Sequence, residues 1–303
     1  MRFLTGGLVK FLTKSTRYEQ FLYFYNMKLL HRIFDFYLDA SIHVAMAVFC
    51  LIRVTVLIFE IPSDTHLSWF VFFGTIACYN FVKYGVEAEK YILVANRYHK
   101  NIQFASFIAL GFACYHGYFL NRDTWEGLAF LGLVSGLYAI PFLPSNKSLR
   151  SLGGLKIFIV ALVWAGATVI LPIMASANHI TWDVGVETLQ RFILVLVLLM
   201  PFEIRDLKYD APELKTIPQR FGITKTRSIA IFAALLFFLL TFLKKEISMM
   251  EVVGKGMFFL TLELVLLLTK REQSRYFASF WIEALPIFWW ILMVGLVGLF
   301  PNY

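Results

Sequence analysis

Two aspartates four positions apart, Asp206 and Asp210, stand at the end of a long apolar run. If the apolar helix continues for one more turn, both carboxylates lie on the same face, a few ångströms apart. Two like charges so placed repel each other, and a bridging cation makes the arrangement favourable. Mg²⁺ suits the pair because it binds one or two carboxylates and completes its octahedron with water and phosphate oxygens. The spacing therefore predicts a metal site.

Basic side chains surround this acidic pair. A metal–diphosphate complex needs carboxylates for the metal and cations for the remaining negative charge. The same charges are compatible with a solvated, salt-bridged connection that only sets membrane topology, and charge alone does not separate the two interpretations. The candidate diphosphate ligands in this stretch are Arg205, Lys208, Lys215 and Arg220.

The composition indicates a membrane protein. Of the 303 residues, 59% are hydrophobic and 16% are charged, whereas about a quarter of the residues of a soluble domain are charged. Apolar blocks of about twenty residues match the length of a helix that crosses the ~30 Å hydrocarbon core. Runs such as "FILVLVLLM" lack the alternation of β-barrel strands. We expect an all-α integral membrane protein with nine transmembrane helices in a bundle around a central cavity, at 40–60, 66–84, 103–120, 124–143, 155–175, 188–205, 228–244, 251–269 and 279–300.

The net charge of +8 follows membrane topology rather than nucleic-acid binding. Most Lys and Arg residues precede the first span or lie in the even-numbered connections, so the positive-inside rule places the N-terminus and the Asp206 end in the cytoplasm and the C-terminus outside. Residues 1–39 are basic and aromatic, which predicts an amphipathic cytoplasmic lead-in on the membrane surface, with a disordered tail as the alternative. Residues 40–303 then form the nine-helix domain. The charges counted in the odd-numbered connections are Arg122, Arg191, Lys244, Lys245 and Lys255.

Other polar residues fall inside the predicted spans. The three cysteines, Cys50, Cys78 and Cys114, have neither metal-ligand spacing nor an extramembrane pair, so we interpret them as packing residues. Arg53 and Glu263 are charged residues within spans, where charge is costly and usually faces a cavity or a partner. Snorkelling is the alternative for Arg53, and a hydrogen bond between helices is the alternative for Glu263.

The stretch "EIRDLKYDAPELKTIPQRFG" at 203–222 contains more than the acidic pair. A K-T-I-P-x-R-x-G tail follows the D-x-x-x-D at a defined offset. This stretch resembles the second aspartate-rich motif of the UbiA family of intramembrane prenyltransferases. Residues 137–172 resemble that family's fourth loop and fifth span, and the resemblance extends over roughly 40–300. The matching residues of the second motif are Arg205, Asp206, Asp210, Lys215, Thr216, Pro218 and Gly222.

The resemblance implies a nine-helix bundle around a central cavity. Members of the family use Mg²⁺ to bind a polyprenyl diphosphate through two acidic motifs. Departure of the diphosphate leaves an allylic carbocation, which an aromatic or other lipid-soluble acceptor captures. The resemblance thus implies Asp206 and Asp210 as catalytic metal ligands. A membrane-accessible apolar tunnel would hold the prenyl tail, and aromatic faces would stabilise the cation.

The first motif of the family is altered in this chain. Where the family has N-(D/x)-x-x-D-x-x-x-D at the end of the second span, residues 78–91 read "CYNFVKYGVEAEKY". Asn80 matches the leading Asn and is our catalytic candidate here. Tyr84 replaces the central Asp, and Ala88, beside Glu87, takes the place of the final one.

Three interpretations of this altered motif are open. Glu87 binds a metal through its longer side chain, helped by Asn80. Alternatively, the second motif holds one Mg²⁺, and Lys83 or Arg97 replaces the second metal as a fixed cation. In the third interpretation the protein no longer catalyses the reaction.

These interpretations lead to different functions. We expect a Mg²⁺-dependent prenyltransferase that acts on a polyprenyl diphosphate and an aromatic or lipid-soluble acceptor in the membrane. A non-catalytic relative that binds isoprenoids or scaffolds other membrane enzymes is the alternative, supported by the altered first motif. A secondary transporter would require charges near the midplane of two repeat halves, whereas the charges here concentrate at one rim.

Overall fold

The computed structural model describes residues 28–85, 97–139 and 154–299, and every regular element within them is a helix. Glu87 and residues 1–27 of the predicted lead-in lie outside the described residues, whereas residues 28–39 are helical. In chain order the α-helices are α1 (Lys28–Asp39), α2 (Ile42–Ile58), α3 (Thr65–Asn80), α4 (Arg97–Gly117), α5 (Arg122–Ala139), α6 (Leu155–Ala165), α7 (Leu171–Ala175), α8 (Trp182–Asp206), α9 (Ile217–Leu239), α10 (Met249–Leu268) and α11 (Leu285–Leu299).

In the part of the chain that the structure describes, each of the nine predicted spans overlaps one or two of these helices, and residues 140–143 and 300 of the predicted spans lie outside it. Four of the described helical runs are long and apolar enough to cross a membrane, or five if α1 and α2, which meet at a bend of 56°, form one span. The prediction of an all-helical membrane protein is supported, whereas the count of nine crossings stays a prediction. The four runs are Leu155–Ala175, Trp182–Asp206, Ile217–Leu243 and Phe277–Leu299.

The largest apolar core holds α8 against α9, α10 and α11. Phe258 and Trp289 stack with ring centroids 4.7 Å apart, and Phe237 meets Trp289 edge-on at 5.8 Å. Gly254 lets α10 approach α11 closely, because a Cβ there would lie 2.3 Å from the Met293 sulfur. Since all these side chains are fully buried, the core gives α8 a fixed position from which its C-terminal end presents Asp206.

A group of charged residues, which we term the buried ion cluster, lies in the N-terminal half of α8. Glu187 accepts hydrogen bonds from Arg191 at 3.1 Å, Lys244 at 2.8 Å and Lys255 at 2.7 Å. Glu251 of α10 contacts the same two lysines. All five side chains are buried, so the cluster joins α8, α10 and the connection after α9. Arg191 and Lys255, which the sequence interpretation counted among the charges of the connections, therefore lie inside helices.

Three π-helical turns interrupt the described helices, at Phe81–Gly85, Gly166–Ile170 and Phe277–Ile282. Such turns are frequent at functional sites because they redirect side chains from the regular helical face. The first turn carries Lys83, and the third ends just before Glu283. Both of these charged residues line the cavity described below.

Candidate functional site at the end of α8

The acidic pair lies at the C-terminal end of α8, as its spacing predicts. The backbone N–H of Asp210 donates to the carbonyl of Asp206 at 2.9 Å, so a further turn follows the helix. Arg205 donates to both carboxylate oxygens of Asp206, from Nε at 2.7 Å and from Nη2 at 3.3 Å. The guanidinium therefore lies against one of the two expected metal ligands.

The K-T-I-P-x-R-x-G tail of the motif anchors the connection that carries Asp210. Gln219, in the first turn of α9, accepts from the Thr216 N–H at 2.9 Å and donates to the Ala211 carbonyl at 3.0 Å. Pro218 fits this first helical turn, where its missing N–H leaves no intrahelical bond unmade. Gly222 adopts φ +75°, a conformation that favours glycine, and breaks the regular helix.

Lys156 at the start of α6 lies close to one acid of α8, Glu203, and to Asp210 in the turn that follows α8. Its ammonium lies 2.8 Å from Oε1 of Glu203 and 3.7 Å from Oδ2 of Asp210. The side chains are largely buried, with exposed fractions of 20% for Lys156, 5% for Glu203 and 16% for Asp210. Glu203, Asp206 and Asp210 together form what we term the carboxylate cluster.

Two oxygens of the carboxylate cluster have no hydrogen-bond donor. Oε2 of Glu203 and Oδ2 of Asp210 are buried and make no hydrogen bond, although such atoms are costly to bury unpaired. Hard carboxylate oxygens of this kind are the ligands that Mg²⁺ prefers, so the cluster fits a divalent cation. Among the described residues, however, no group of three or more His, Cys, Asp or Glu side chains is arranged as a preformed metal site.

A cavity of about 340 Å³ opens beside the carboxylate cluster. One part of its wall is charged, with Lys83, Lys156, Glu203, Asp206 and Glu283, and the remainder is mostly apolar. A site with an ionic part and an apolar part suits an amphiphilic molecule with a charged head. The remaining lining residues are Val44, Tyr79, Val82, Tyr138, Ile157, Val160, Trp164, Val195, Leu198, Leu199, Phe202, Ile282 and Pro286.

The predicted basic ligands fall into two groups. Lys83 lines the cavity, and its ammonium also donates to the Asp39 carbonyl at 3.3 Å. Lys208, Lys215 and Arg220 are exposed on the connection after α8 and on the first turn of α9. Their side chains are not part of the cavity wall. They are exposed on the segment that follows Asp206, which lines the cavity.

Asn80 lies at the end of α3, just before the π-turn that carries Lys83. It is fully buried, accepts from Ser41 Oγ at 2.8 Å, and donates to the Ala40 carbonyl at 3.0 Å and to Ser106 Oγ at 2.8 Å. Its amide thus joins α3 to α4 and to the break between α1 and α2. A catalytic role for Asn80 stays a prediction, as does a metal-binding role for Glu87, which lies outside the described residues.

Three residues of this cavity escaped the sequence interpretation. Glu203 and Glu283 are acids within predicted spans, and the cost of charge in a membrane is a signal that identifies both. Lys156 lies at the start of the fifth predicted span, and the sequence interpretation gave it no role in the site. Its contact with Glu203 joins residues 47 positions apart in the chain, a pairing that sequence spacing does not reveal.

No family model and no curated protein matches this chain in sequence. Solved structures do match it. A structure of a UbiA homologue from Archaeoglobus fulgidus bound to DMAPP and Mg²⁺ aligns with a TM-score of 0.60 and 11% identity, over 87% of this chain and 99% of that one. The structure of the same homologue bound to GPP and Mg²⁺ aligns with a TM-score of 0.53 and 11% identity, over the same shares of the two chains.

A second enzyme gives the same result. A structure of digeranylgeranylglyceryl phosphate synthase aligns with a TM-score of 0.53 and 14% identity, over 88% of this chain and 98% of that one. At this level of identity, an alignment over nearly the whole of each chain establishes a shared architecture. The chain is an integral membrane protein with the UbiA-like prenyltransferase fold.

Proposed function

We propose that this protein is an intramembrane prenyltransferase that transfers an isoprenoid chain from a polyprenyl diphosphate to an aromatic or other lipid-soluble acceptor. The observation that carries the proposal is the cavity beside α8, in which a cluster of acids and lysines adjoins an apolar wall. Structural neighbours solved with DMAPP or GPP and Mg²⁺ support the substrate class. In this proposal the nine-span topology holds, with the Asp206 end of α8 on the cytoplasmic side.

The carboxylate cluster is the proposed metal site. Asp206 and Asp210 would hold Mg²⁺, and Glu203 adds a third carboxylate on the same face. When bound, Mg²⁺ neutralises charge on the diphosphate and makes it a better leaving group. In this scheme Glu87 would supplement the site from the segment after α3, with Asn80 positioning the end of that helix.

Basic residues would bind the diphosphate. Lys156 and Lys83 line the cavity, and Arg205 lies against Asp206. These cations stabilise the negative charge that develops on the leaving oxygen. Lys208, Lys215 and Arg220 are exposed nearby and would attract the diphosphate from solution rather than contact it during the reaction.

In the proposed reaction, the prenyl chain exchanges its bond to the diphosphate for a bond to the acceptor. The bond between C1 of the prenyl chain and the diphosphate oxygen breaks, and the oxygen keeps the electron pair. Aromatic faces of Tyr79, Trp164 and Phe202 line the cavity and would stabilise the allylic cation. The acceptor then attacks C1 and loses a proton, and Glu283 in the cavity wall is the proposed proton acceptor.

One observation favours a second function, a non-catalytic isoprenoid-binding or scaffold protein. The ammonium of Lys156 already lies between Glu203 and Asp210. The carboxylates are therefore partly neutralised without a metal, which is compatible with a site that binds a lipid but does not ionise it. Binding that is independent of Mg²⁺, without pyrophosphate release, would identify this function.

Pyrophosphate release tests the proposal directly. The full chain, purified in detergent, is supplied with geranylgeranyl diphosphate and a panel of aromatic acceptors, with and without Mg²⁺. We expect release that requires Mg²⁺ and is lost in Asp206→Asn. Release that does not change on removal of Mg²⁺ or in Asp206→Asn would contradict the assignment of the site.

A further inference from the structure

The altered first motif lacks the ligands of a metal ion in the part that the structure describes. Residues 80–85 contain no acid. The amide oxygen of Asn80 is buried and already accepts from Ser41 Oγ at 2.8 Å. Lys83 is a cation, and the Tyr84 hydroxyl donates to a carbonyl group. Because Mg²⁺ is bound by carboxylates and other oxygens that are free to face it, the described residues of this motif do not fit a metal ion.

The polar side chains of residues 80–85 instead contact the break between α1 and α2. The Lys83 ammonium and the Tyr84 hydroxyl donate to the same oxygen, the Asp39 carbonyl, at 3.3 Å and 3.1 Å. Asn80 donates to the next carbonyl, that of Ala40, at 3.0 Å. Asp39 ends α1, and the last carbonyls of a helix lack donors within the helix, which lysine side chains commonly supply. The motif therefore binds the end of α1.

The π turn at Phe81–Gly85 makes this double contact possible. Neighbouring residues of a regular α-helix do not face each other, yet Lys83 and Tyr84 reach the same oxygen. A π turn redirects side chains from the regular helical face. Since Lys83 also lines the cavity, its contact with Asp39 fixes the ammonium at the cavity wall.

Helix α1 contacts a second π turn as well. Asp35 accepts from Arg275 at 3.2 Å and from Tyr276 at 2.9 Å, directly before the turn at Phe277–Ile282. This turn ends next to Glu283, which lines the cavity. Helix α1 thus joins the two π turns that carry or precede charged residues of the cavity wall.

We propose that the altered first motif binds helix α1 instead of a metal ion, and that α1 thereby holds Lys83 at the cavity as the positive charge that a second metal would otherwise supply. The carboxylate cluster then binds the single metal. Helix α1 positions Lys83 and does not itself contact the diphosphate. The inference rests on the proposed function, because the charge of Lys83 is directed at the diphosphate.

A lysine held in this way suits the task. Hydrogen bonds from an ammonium to phosphate oxygens are about twice as strong as those between neutral groups. A donor that is fixed before the reaction also needs no rearrangement when charge develops on the leaving oxygen. The free ammonium is flexible on its four-carbon chain, so the bond to Asp39 supplies the order that metal coordination would give.

Hydrogen–deuterium exchange tests the docking of α1 independently of the reaction. In the full chain in detergent, residues 28–39 should exchange slowly, and Tyr84→Phe should speed their exchange because one bond to Asp39 is lost. Exchange of residues 28–39 in the unmodified protein as fast as in an unstructured peptide would overturn the proposal, whether or not the protein binds a diphosphate.

The number of bound metal ions tests the replacement of the second metal. The full chain is titrated with Mn²⁺ at saturating inorganic pyrophosphate, and bound Mn²⁺ is counted by electron paramagnetic resonance. We expect one Mn²⁺ per chain, held by the carboxylate cluster. Two Mn²⁺ per chain would overturn the proposal, because residues such as Glu87 would then complete a second metal site. No bound Mn²⁺ would overturn the proposed function and this inference together.

Binding of radiolabelled pyrophosphate in the presence of Mg²⁺ tests the charge of Lys83. Lys83→Met should weaken binding about tenfold, and Lys83→Arg, which keeps the charge, should restore most of the affinity. Lys270→Met, at an exposed lysine after α10, is the control. Equal affinity of Lys83→Met and the unmodified protein would overturn the inference and leave the proposed function intact. Absence of binding to the unmodified protein would overturn both.

Asp35→Ala tests whether α1 acts through Lys83. The variant removes the contacts with Arg275 and Tyr276 and should weaken pyrophosphate binding about threefold. In the Lys83→Met background it should have no effect, because both changes act on one interaction. Lys28→Ala, at the exposed start of α1, is the control. Equal effects of Asp35→Ala in both backgrounds would show that α1 only supports the fold, and would overturn its positioning role.

Discussion

Helix α8 carries two charged clusters that differ in how their polar atoms are paired. In the buried ion cluster, both oxygens of Glu187 accept hydrogen bonds from cations. In the carboxylate cluster, Oε2 of Glu203 is buried without a donor, and Oδ2 of Asp210 makes no hydrogen bond but lies 3.7 Å from the Lys156 ammonium. Charge buried with its partners is typical of structure, whereas a buried carboxylate oxygen left without a donor can accept a hydrogen bond from water or bind a cation. Under the proposed function, one end of the helix contributes stability and the other end binds the substrate and its metal.

The buried ion cluster has one unpaired atom of its own. Nε of Arg191 makes no hydrogen bond, although its other nitrogens donate to Leu51, Thr168, Thr55 and Glu187. The guanidinium also lies 5.2 Å from the centroid of the Trp289 ring, a contact that stabilises a cation. The unpaired atom is therefore a donor against an aromatic surface and does not resemble a ligand site.

The largest effect is expected for Asp206→Asn. Loss of one carboxylate of the proposed metal site should lower Mg²⁺-dependent turnover by about 10²-fold or more, with little change in thermal stability because Asp206 is only partly buried. Pyrophosphate release and thermal unfolding in detergent measure the two properties. Asp123→Asn, an exposed acid in the first turn of α5, is the matched control. Unfolding of Asp206→Asn with loss of activity would break the comparison, because the acid would then be structural.

Glu187→Gln should produce the opposite result. Removal of this charge leaves Arg191, Lys244 and Lys255 buried with only Glu251 nearby, which should cost about 3–5 kcal/mol of unfolding free energy. Denaturant unfolding in detergent measures this loss, while turnover per folded molecule should stay unchanged. The double variant Glu187→Gln/Lys255→Gln removes one charge of each sign and should recover part of the stability. A catalytic defect in folded Glu187→Gln would place the buried ion cluster in the reaction.

Lys156→Met tests whether the Lys156 ammonium occupies the position of a metal ion in the carboxylate cluster. Without the ammonium, Glu203 and Asp210 should bind a divalent cation about tenfold more tightly, because like charge no longer competes. Mn²⁺ titration followed by electron paramagnetic resonance measures this affinity. Lys208→Met, exposed near the same turn, should leave it unchanged. Equal Mn²⁺ affinity in Lys156→Met and the unmodified protein would mean that this lysine does not compete with a metal.

The helices were predictable because apolar blocks of this length have few alternatives in a membrane. The described parts of the nine predicted spans accordingly fall on helices, and the backbone continues for a further turn from Asp206 to Asp210, as the i, i+4 interpretation requires. Local rules of this kind need only neighbouring residues. The K-T-I-P-x-R-x-G tail was informative for the same reason, because its contacts are local. Gln219 within it bonds to Thr216 and Ala211, three and eight positions away.

The partners of buried charges were not predictable from local rules. Lys255 lies 68 positions from Glu187. Arg191 and Lys255 lie within a few residues of the start of their predicted spans, where the sequence alone does not distinguish a buried charge from one in the adjoining connection. The interpretation of charge within spans named Arg53 and Glu263, yet Glu203 and Glu283 line the cavity. Which buried acid faces a cavity depends on the packing of helices that are distant in the chain.

The smallest effect is expected for a half-buried hydrogen bond away from α8, between Tyr276 and Asp35. The hydroxyl of Tyr276 donates to this carboxylate at 2.9 Å, and the hydrogen bond raises the pKa of Tyr276 above its ordinary value of 10.0. The folded state therefore holds the hydroxyl proton more tightly than the unfolded state. The resulting stabilisation is fully present below pH 10 and is lost as the pH rises through the folded-state pKa.

Tyr276→Phe should accordingly lower the melting temperature slightly at pH 7, and the difference from the unmodified protein should shrink at strongly alkaline pH. Solvent screens this contact, so its loss should be far smaller than that of Glu187→Gln. Melting curves from pH 7 to pH 11 measure the trend, with Tyr118→Phe, an exposed tyrosine beyond the end of α4, as the control. If Tyr276→Phe lowered the melting temperature as much as Glu187→Gln does, burial would not explain which charged contacts stabilise the fold. The difference in burial and pairing between the two ends of α8 would then not explain their different roles.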